Sequence, residues 1–113
     1  MLEAEGGDAM IDLVASKRAE IEALCEEYGV RRLALFGSAV KGSWNAETSD
    51  LDFLVDIGDY NDRVARRFMG FLAGLDRMFD GNIDIVSEPA IKSDDFRREL
   101  QRTAVTLYER RSE

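Results

Sequence analysis

A chain of 113 residues and 12.7 kDa has room for one modest core, not for a catalytic domain with its own separate substrate domain. It carries 23 acidic against 15 basic residues, a formal net charge of -8, and no His, which excludes His general bases, Ser–His triads and His-ligated metal centres. Cys25 stands alone, so no intramolecular disulfide or thiolate cluster can form.

Residues 1–7 read as a flexible tail broken by Gly6-Gly7, and 8–113 as a single domain. The start of the chain is acidic and lacks a secretory pattern, and no apolar run is long enough to span a bilayer. A soluble, cytoplasmic protein is the expectation. Asp8 is placed to cap a helix over about residues 9–28, with Met10, Ile11, Val14, Ile21, Leu24, Cys25 and Tyr28 on one stripe and Gly29 as its stop. Arg32 to Phe36 reads as a short buried strand ended by Gly37-Ser38. A polar loop follows, and Trp44 within it is either exposed for a partner or an adenine, or folded onto the core.

A second strand covers about residues 50–57, with Asp50, Asp52, Leu54 and Asp56 on one face and Leu51, Phe53, Val55 and Ile57 on the other. Next comes a helix over about 61–79, its apolar face made by Val64, Phe68, Phe71, Leu72, Leu75 and Phe79. Gly70 and Gly74 within it either admit a close neighbour or are simply tolerated. Ile83 to Ser87 is a third strand, with Asp84 and Val86 on one face and Ile83 and Ile85 on the other, ended by Pro89. Ser93 caps a last helix over about 94–110, expected to bury Phe96, Leu100, Ala104 and Leu107, with Tyr108 as a further candidate. The order α-β-β-α-β-α implies an α/β or α+β fold, a small sheet flanked by helices. Arg residues recur in pairs along the chain and read either as solvated faces or as a local basic patch.

Three carboxylates stand out. Asp50 and Asp52 leave one strand on the same face, about 7 Å apart at Cα, and Asp84 lies near the start of another strand. Carboxylates on a half-buried sheet need compensation, and no Lys or Arg occupies matching strand positions. A divalent cation is the simplest compensation; Mg²⁺ prefers such oxygens and commonly arrives with a nucleoside triphosphate. At the end of the first strand, Gly37 lets phosphate approach the backbone and Ser38 adds a hydroxyl donor. A phosphate corner next to a carboxylate metal site suits phosphoryl-type transfer.

Leu35-Phe36-Gly37-Ser38-Ala39-Val40-Lys41-Gly42, followed by Ser49-Asp50-Leu51-Asp52-Phe53-Leu54-Val55, resembles the signature of the DNA polymerase β-like nucleotidyltransferases. Ile83-Asp84-Ile85-Val86-Ser87-Glu88 and the closing amphipathic helix ending in Tyr108-Glu109 are similar to the minimal nucleotidyltransferase type in particular, over about residues 20–110. The resemblance implies that Gly37 and Ser38 bind the triphosphate, with Lys41 and Ser49 as further nucleotide-binding candidates. It implies that Asp50 and Asp52 hold Mg²⁺ and that Asp84 is the third carboxylate, helping to activate the attacking hydroxyl. Lys41 stands where the family often has Arg and is either a phosphate contact or a solvent-facing side chain. The spacer Ala39 to Ser49 is one residue longer than usual, an insertion in a loop.

The implied reaction is transfer of AMP from ATP. Minimal nucleotidyltransferases commonly pair with helical RNases of the HEPN class in toxin–antitoxin modules, which implies a toxin tyrosine as acceptor and a hetero-oligomer. The acidic chain suits a basic partner better than direct binding to nucleic acid. Two alternatives stay open: an antitoxin that binds nucleotide without turnover, and a subunit that modifies a small molecule such as an antibiotic.

Overall fold

A computed structural model describes residues 14–37, 40, 50–58 and 61–110. Among these, the chain runs α1 (Arg18–Tyr28), β1 (Arg32–Phe36), β2 (Leu51–Asp56), α2 (Val64–Met78), β3 (Ile83–Ser87), a 3-10 turn (Glu88–Ala90), α3 (Asp94–Thr103) and β4 (Val105–Glu109). The strands form one mixed sheet in the order β3-β2-β1-β4. β1 pairs antiparallel with β2 and β4, whereas β2 and β3 are parallel. The parallel pair requires a crossover, and α2 supplies it.

Strand alternation sorts the apolar side chains onto two faces. Leu33 and Leu35 of β1 and Leu51, Phe53 and Val55 of β2 point to the face covered by α1 and α2, where they pack with Ile21, Cys25, Phe71 and Leu75. Fully burying each such aliphatic or aromatic side chain contributes about 1.5–3 kcal/mol. Ala34 and Leu54 point the other way and meet Ile91 and Leu100, so α3 lies over the second face. Cys25 is buried in the main core, and that burial, with Glu22 and Glu26 nearby, pushes its thiol up to about 12. It is therefore inert at neutral pH.

The two glycines of α2 face α1. A Cβ at Gly70 would stand 2.5 Å from the Tyr28 ring, and one at Gly74 would stand 2.6 Å from a Leu24 methyl. Close helix approach, not tolerance, accounts for both. Gly29 ends α1 at φ 68, where its N–H donates to the last carbonyls of the helix.

Arg67, one of the paired arginines, has a structural post. Its guanidinium donates to the carbonyls of Tyr28 (2.9 Å), Gly29 (2.8 Å), Ile57 (2.7 Å) and Gly58 (3.1 Å). These are the C-terminal carbonyls of α1 and the backbone just after β2, so one planar fork joins the two elements. The negative end of the α1 dipole adds to the attraction.

Three expectations require correction. The first helix does not run unbroken to Tyr28: Ser16 and Lys17 form a turn, and Lys17, at ψ 15, leaves the helical region. Its proposed Asp8 cap lies outside the described residues. The last helix ends at Thr103, and residues 105–109 form β4 instead. Ala104 is extended (φ -69, ψ 146), after which β-branched Val105 and Thr106 favour strand backbone. The open edge of β1 offers unpaired N–H and C=O groups, and β4 satisfies them from Leu35↔Val105 to Arg32↔Glu109. Leu107 is buried as expected, but from a strand, and Tyr108 packs against the main core. Phe96 is not buried; 42% of it is exposed. The cap itself is as expected, with Ser93 Oγ accepting from the Phe96 N–H at 3.2 Å.

Replacing Arg67 with Met keeps the packing of the stem but removes the donor from the part-buried carbonyls of Tyr28, Ile57 and Gly58, while Gly29 keeps a longer bond from Arg110. We expect a loss of at least about 2 kcal/mol in unfolding free energy, read from urea titration. A variant as stable as the parent would show the fork to be incidental.

Candidate active site

The site begins with backbone geometry at the end of β1. Phe36 is the last strand residue, and Gly37 then takes φ 79, a left-handed conformation that L side chains rarely adopt. The turn is closed by Val40 N–H donating to Gly37 C=O at 3.0 Å. Space imposes a second restriction. A Cβ on Gly37 would overlap Asp52 Oδ2 and lie 3.1 Å from Asp52 Cγ. Glycine is thus required both by the turn and by the carboxylate pressed against it.

The register supplies the rest. Phe36 is opposite Asp52 across the antiparallel pair, and Asp52 is opposite Asp84 across the parallel pair. Phe36, Asp52 and Asp84 therefore form one line across a single face of the sheet, with strands about 4.8 Å apart. Asp50 precedes β2 by one residue. Asp52 is half-buried, whereas Asp50 and Asp84 are exposed. Like charges in directly opposed strand positions are destabilising. The Asp52 carboxyl is accordingly pushed up from its ordinary value, first by burial, then by the charge of Asp84, then by that of Asp50. Among the described residues, ion pairs join Arg18–Glu22, Arg31–Asp56, Arg32–Glu88, Arg98–Asp95 and Arg102–Glu99, and none of these includes the three aspartates.

Such a donor set suits a hard divalent cation in kind: three carboxylates, one of them crowded and partly desolvated. Among the described residues, no three acidic, His or Cys side chains already stand in a metal-binding group. Asp50 and Asp84 are exposed, so rotation of their side chains is the motion by which a cation would gather them around Asp52. The geometry thus joins Gly37, Asp52 and Asp84 directly, and Asp50 through its charge. Ser38, Lys41 and Ser49, like Trp44, lie outside the described residues. Sequence reasoning missed the place of Phe36 in this line. Its signal was the strand period, which puts Phe36 on the face of Ala34 and opposite the first half of β2.

Opposed aspartates on neighbouring strands thus stand beside a glycine turn on one face of the sheet. The chain belongs to the nucleotidyltransferase domain family, which matches residues 18–108. Among solved structures it is similar to one described as a minimal nucleotidyltransferase, with a TM-score of 0.70 and 26% identity over 83% of this chain and 92% of that one. It also resembles a chain in a toxin–antitoxin complex with AMP-PNP (TM-score 0.61, 22% identity, 82% and 73% covered). The MntA–HepT toxin–antitoxin complex gives a TM-score of 0.56 at 19% identity, over 85% and 73%. The latter two likenesses are of fold. No curated protein matches the chain. The mixed α+β sheet is that of the family. No helix among the described residues is long and apolar enough to cross a membrane.

Because the Asp52 pKa is higher in the folded chain than in the unfolded one, ionised Asp52 destabilises the metal-free fold at neutral pH. That cost fades as pH falls below the ordinary carboxylate value, about 4, where both states are protonated. Asp52→Asn should therefore raise the metal-free Tm at pH 7, with the gain vanishing by about pH 3. Added Mg²⁺ should raise the Tm of the parent and not of Asp52→Asn. An unchanged or lower Tm for the variant at pH 7 would contradict the crowding.

Proposed function

We propose that this chain is a Mg²⁺-dependent nucleotidyltransferase that moves AMP from ATP onto a tyrosine hydroxyl of a cognate HEPN-type RNase toxin, acting as the antitoxin of the pair. The observation that supports it most is the register of Asp52 with Asp84 beside the bare backbone of Gly37. The fold likeness to chains of toxin–antitoxin complexes supports the choice of partner. A further such structure carries two aspartates, two residues apart, changed to glutamate. The formal charge of -8 suits a basic partner.

In this reading Asp50 and Asp52 hold the metal, which when bound neutralises charge on the triphosphate. Gly37 admits the phosphates to the backbone, and Ser38 donates a hydroxyl hydrogen bond to them. Lys41 and Ser49 flank the nucleotide. Asp84 accepts the proton of the tyrosine hydroxyl as its oxygen attacks the α-phosphorus. The bond between the α-phosphorus and the bridging oxygen breaks, and pyrophosphate leaves with the electron pair. The toxin supplies the acceptor platform that the described sheet and helices do not form.

A second reading is an antitoxin that holds nucleotide without turnover. It is favoured by the longer Ala39 to Ser49 spacer and by acids not yet gathered around one point. The test is incubation with toxin, Mg²⁺ and ATP labelled at the α-phosphate. Label on a toxin tyrosine is expected, and Asp52→Asn should lower its rate by more than about a hundredfold. A stable but unlabelled complex would favour binding alone, and a fully active Asp52→Asn would contradict the metal assignment.

A further inference from the structure

We propose that the ring of Phe96 is the platform on which the nucleobase of the donor nucleotide stacks; this rests on the reading of the site as a nucleotide site. The line Phe36–Asp52–Asp84 continues beyond its aromatic end into α3. Phe96 meets Phe36 edge to face, with ring centroids 6.5 Å apart and planes at 77°. Phe36 is adjacent in sequence to Gly37, where the phosphates would sit, and opposite Asp52 in register. Phosphate turn, carboxylates and open aromatic ring therefore share one face at one end of the sheet, with Phe36 linking the ring to the line of aspartates.

Phe96 is 42% exposed, whereas Phe53 and Phe71 are fully buried. Met69 is more exposed at 62%, but it lies on α2, over the opposite face and away from the carboxylates. Exposing a large aromatic ring forgoes hydrophobic stabilisation unless a ligand covers it. The ring is also held in place. The backbone that carries it is fixed, with the Phe96 N–H donating to Ser93 Oγ and Arg97 to Ile91 C=O at 2.6 Å, and Phe36 braces one side of the ring. A ring braced on one side and carried on a fixed backbone loses less entropy when a flat ligand lands on it. A Phe ring has no hydrogen-bonding group, so it supplies affinity for a base without reading which base it is.

The experiment is calorimetric titration of the full chain with Mg–ATP and, separately, with Mg–tripolyphosphate, which lacks base and sugar. Phe96→Ala should weaken ATP binding about five- to hundredfold while leaving tripolyphosphate binding within about twofold of the parent. Phe96→Trp should retain ATP affinity. Phe96→Leu, which keeps the bulk and loses the π face, should behave as Phe96→Ala and guards against a folding defect in the smaller variant. ATP affinity unchanged in Phe96→Ala and Phe96→Leu, or an equal loss for both ligands, would overturn the stacking role while the nucleotide site stands. A parent chain that binds neither ligand would overturn the nucleotide site and the platform together.

Discussion

The constraint on which the structure turns is electrostatic crowding on one face of a small sheet. Parallel pairing of β2 with β3 sets Asp52 directly opposite Asp84, and the left-handed turn at Gly37 brings backbone against the same Asp52 carboxylate. Nothing in the packing requires this. An apolar residue at position 52 would extend the cluster of Ala34, Leu54, Ile91 and Leu100 that already lies beneath α3. Keeping two acids in opposed positions weakens the sheet locally, and such a local cost is intelligible where a cation and a polyphosphate are to be received.

The remainder of the fold holds that end still. The main core fastens α1 and α2 to the back of the sheet, and the Arg67 fork locks the far end, where α1 stops and β2 runs out. Rigid support and functional strain are thus at opposite ends of β2. The other face carries a smaller apolar cluster beneath α3, with Asp52 and Asp84 beside it at the end where Gly37 turns. This division lets a small chain hold the backbone of the site still while the exposed Asp50 and Asp84 side chains stay free to turn toward Asp52.

Much of this was legible in the sequence. β1 and β3 were readable because each is a short apolar run bounded by a glycine turn or a proline, and β2 because its alternation assigns Asp52 and Leu54 to one face and Phe53 and Val55 to the other. The spacing of Asp50, Asp52 and Asp84 marked the candidate site, because carboxylates on strands need a reason, and the register sets Asp52 opposite Asp84. The end of the chain misled for an equally physical cause. Leu100, Ala104 and Leu107 fit a helical stripe, and only the unpaired edge of β1, far away in sequence, decides that Val105 to Glu109 extend instead. The role of Arg67 was hidden for the same reason: an Arg on an amphipathic helix looks solvated until the carbonyls it serves are brought together. Phe96 fitted a buried position by period, but α3 meets the sheet chiefly through Leu100, which leaves the first turn open.

The most direct measurement is crystallographic. Crystals grown with Mn²⁺ and a non-hydrolysable ATP analogue would locate the cation by its anomalous scattering. The expected result is a peak within ligand distance, about 2 Å, of oxygens of Asp50 and Asp52, with phosphate oxygens against the Gly37 turn. Nucleotide bound elsewhere, or a cation that leaves Asp52 untouched, would contradict the site at its root.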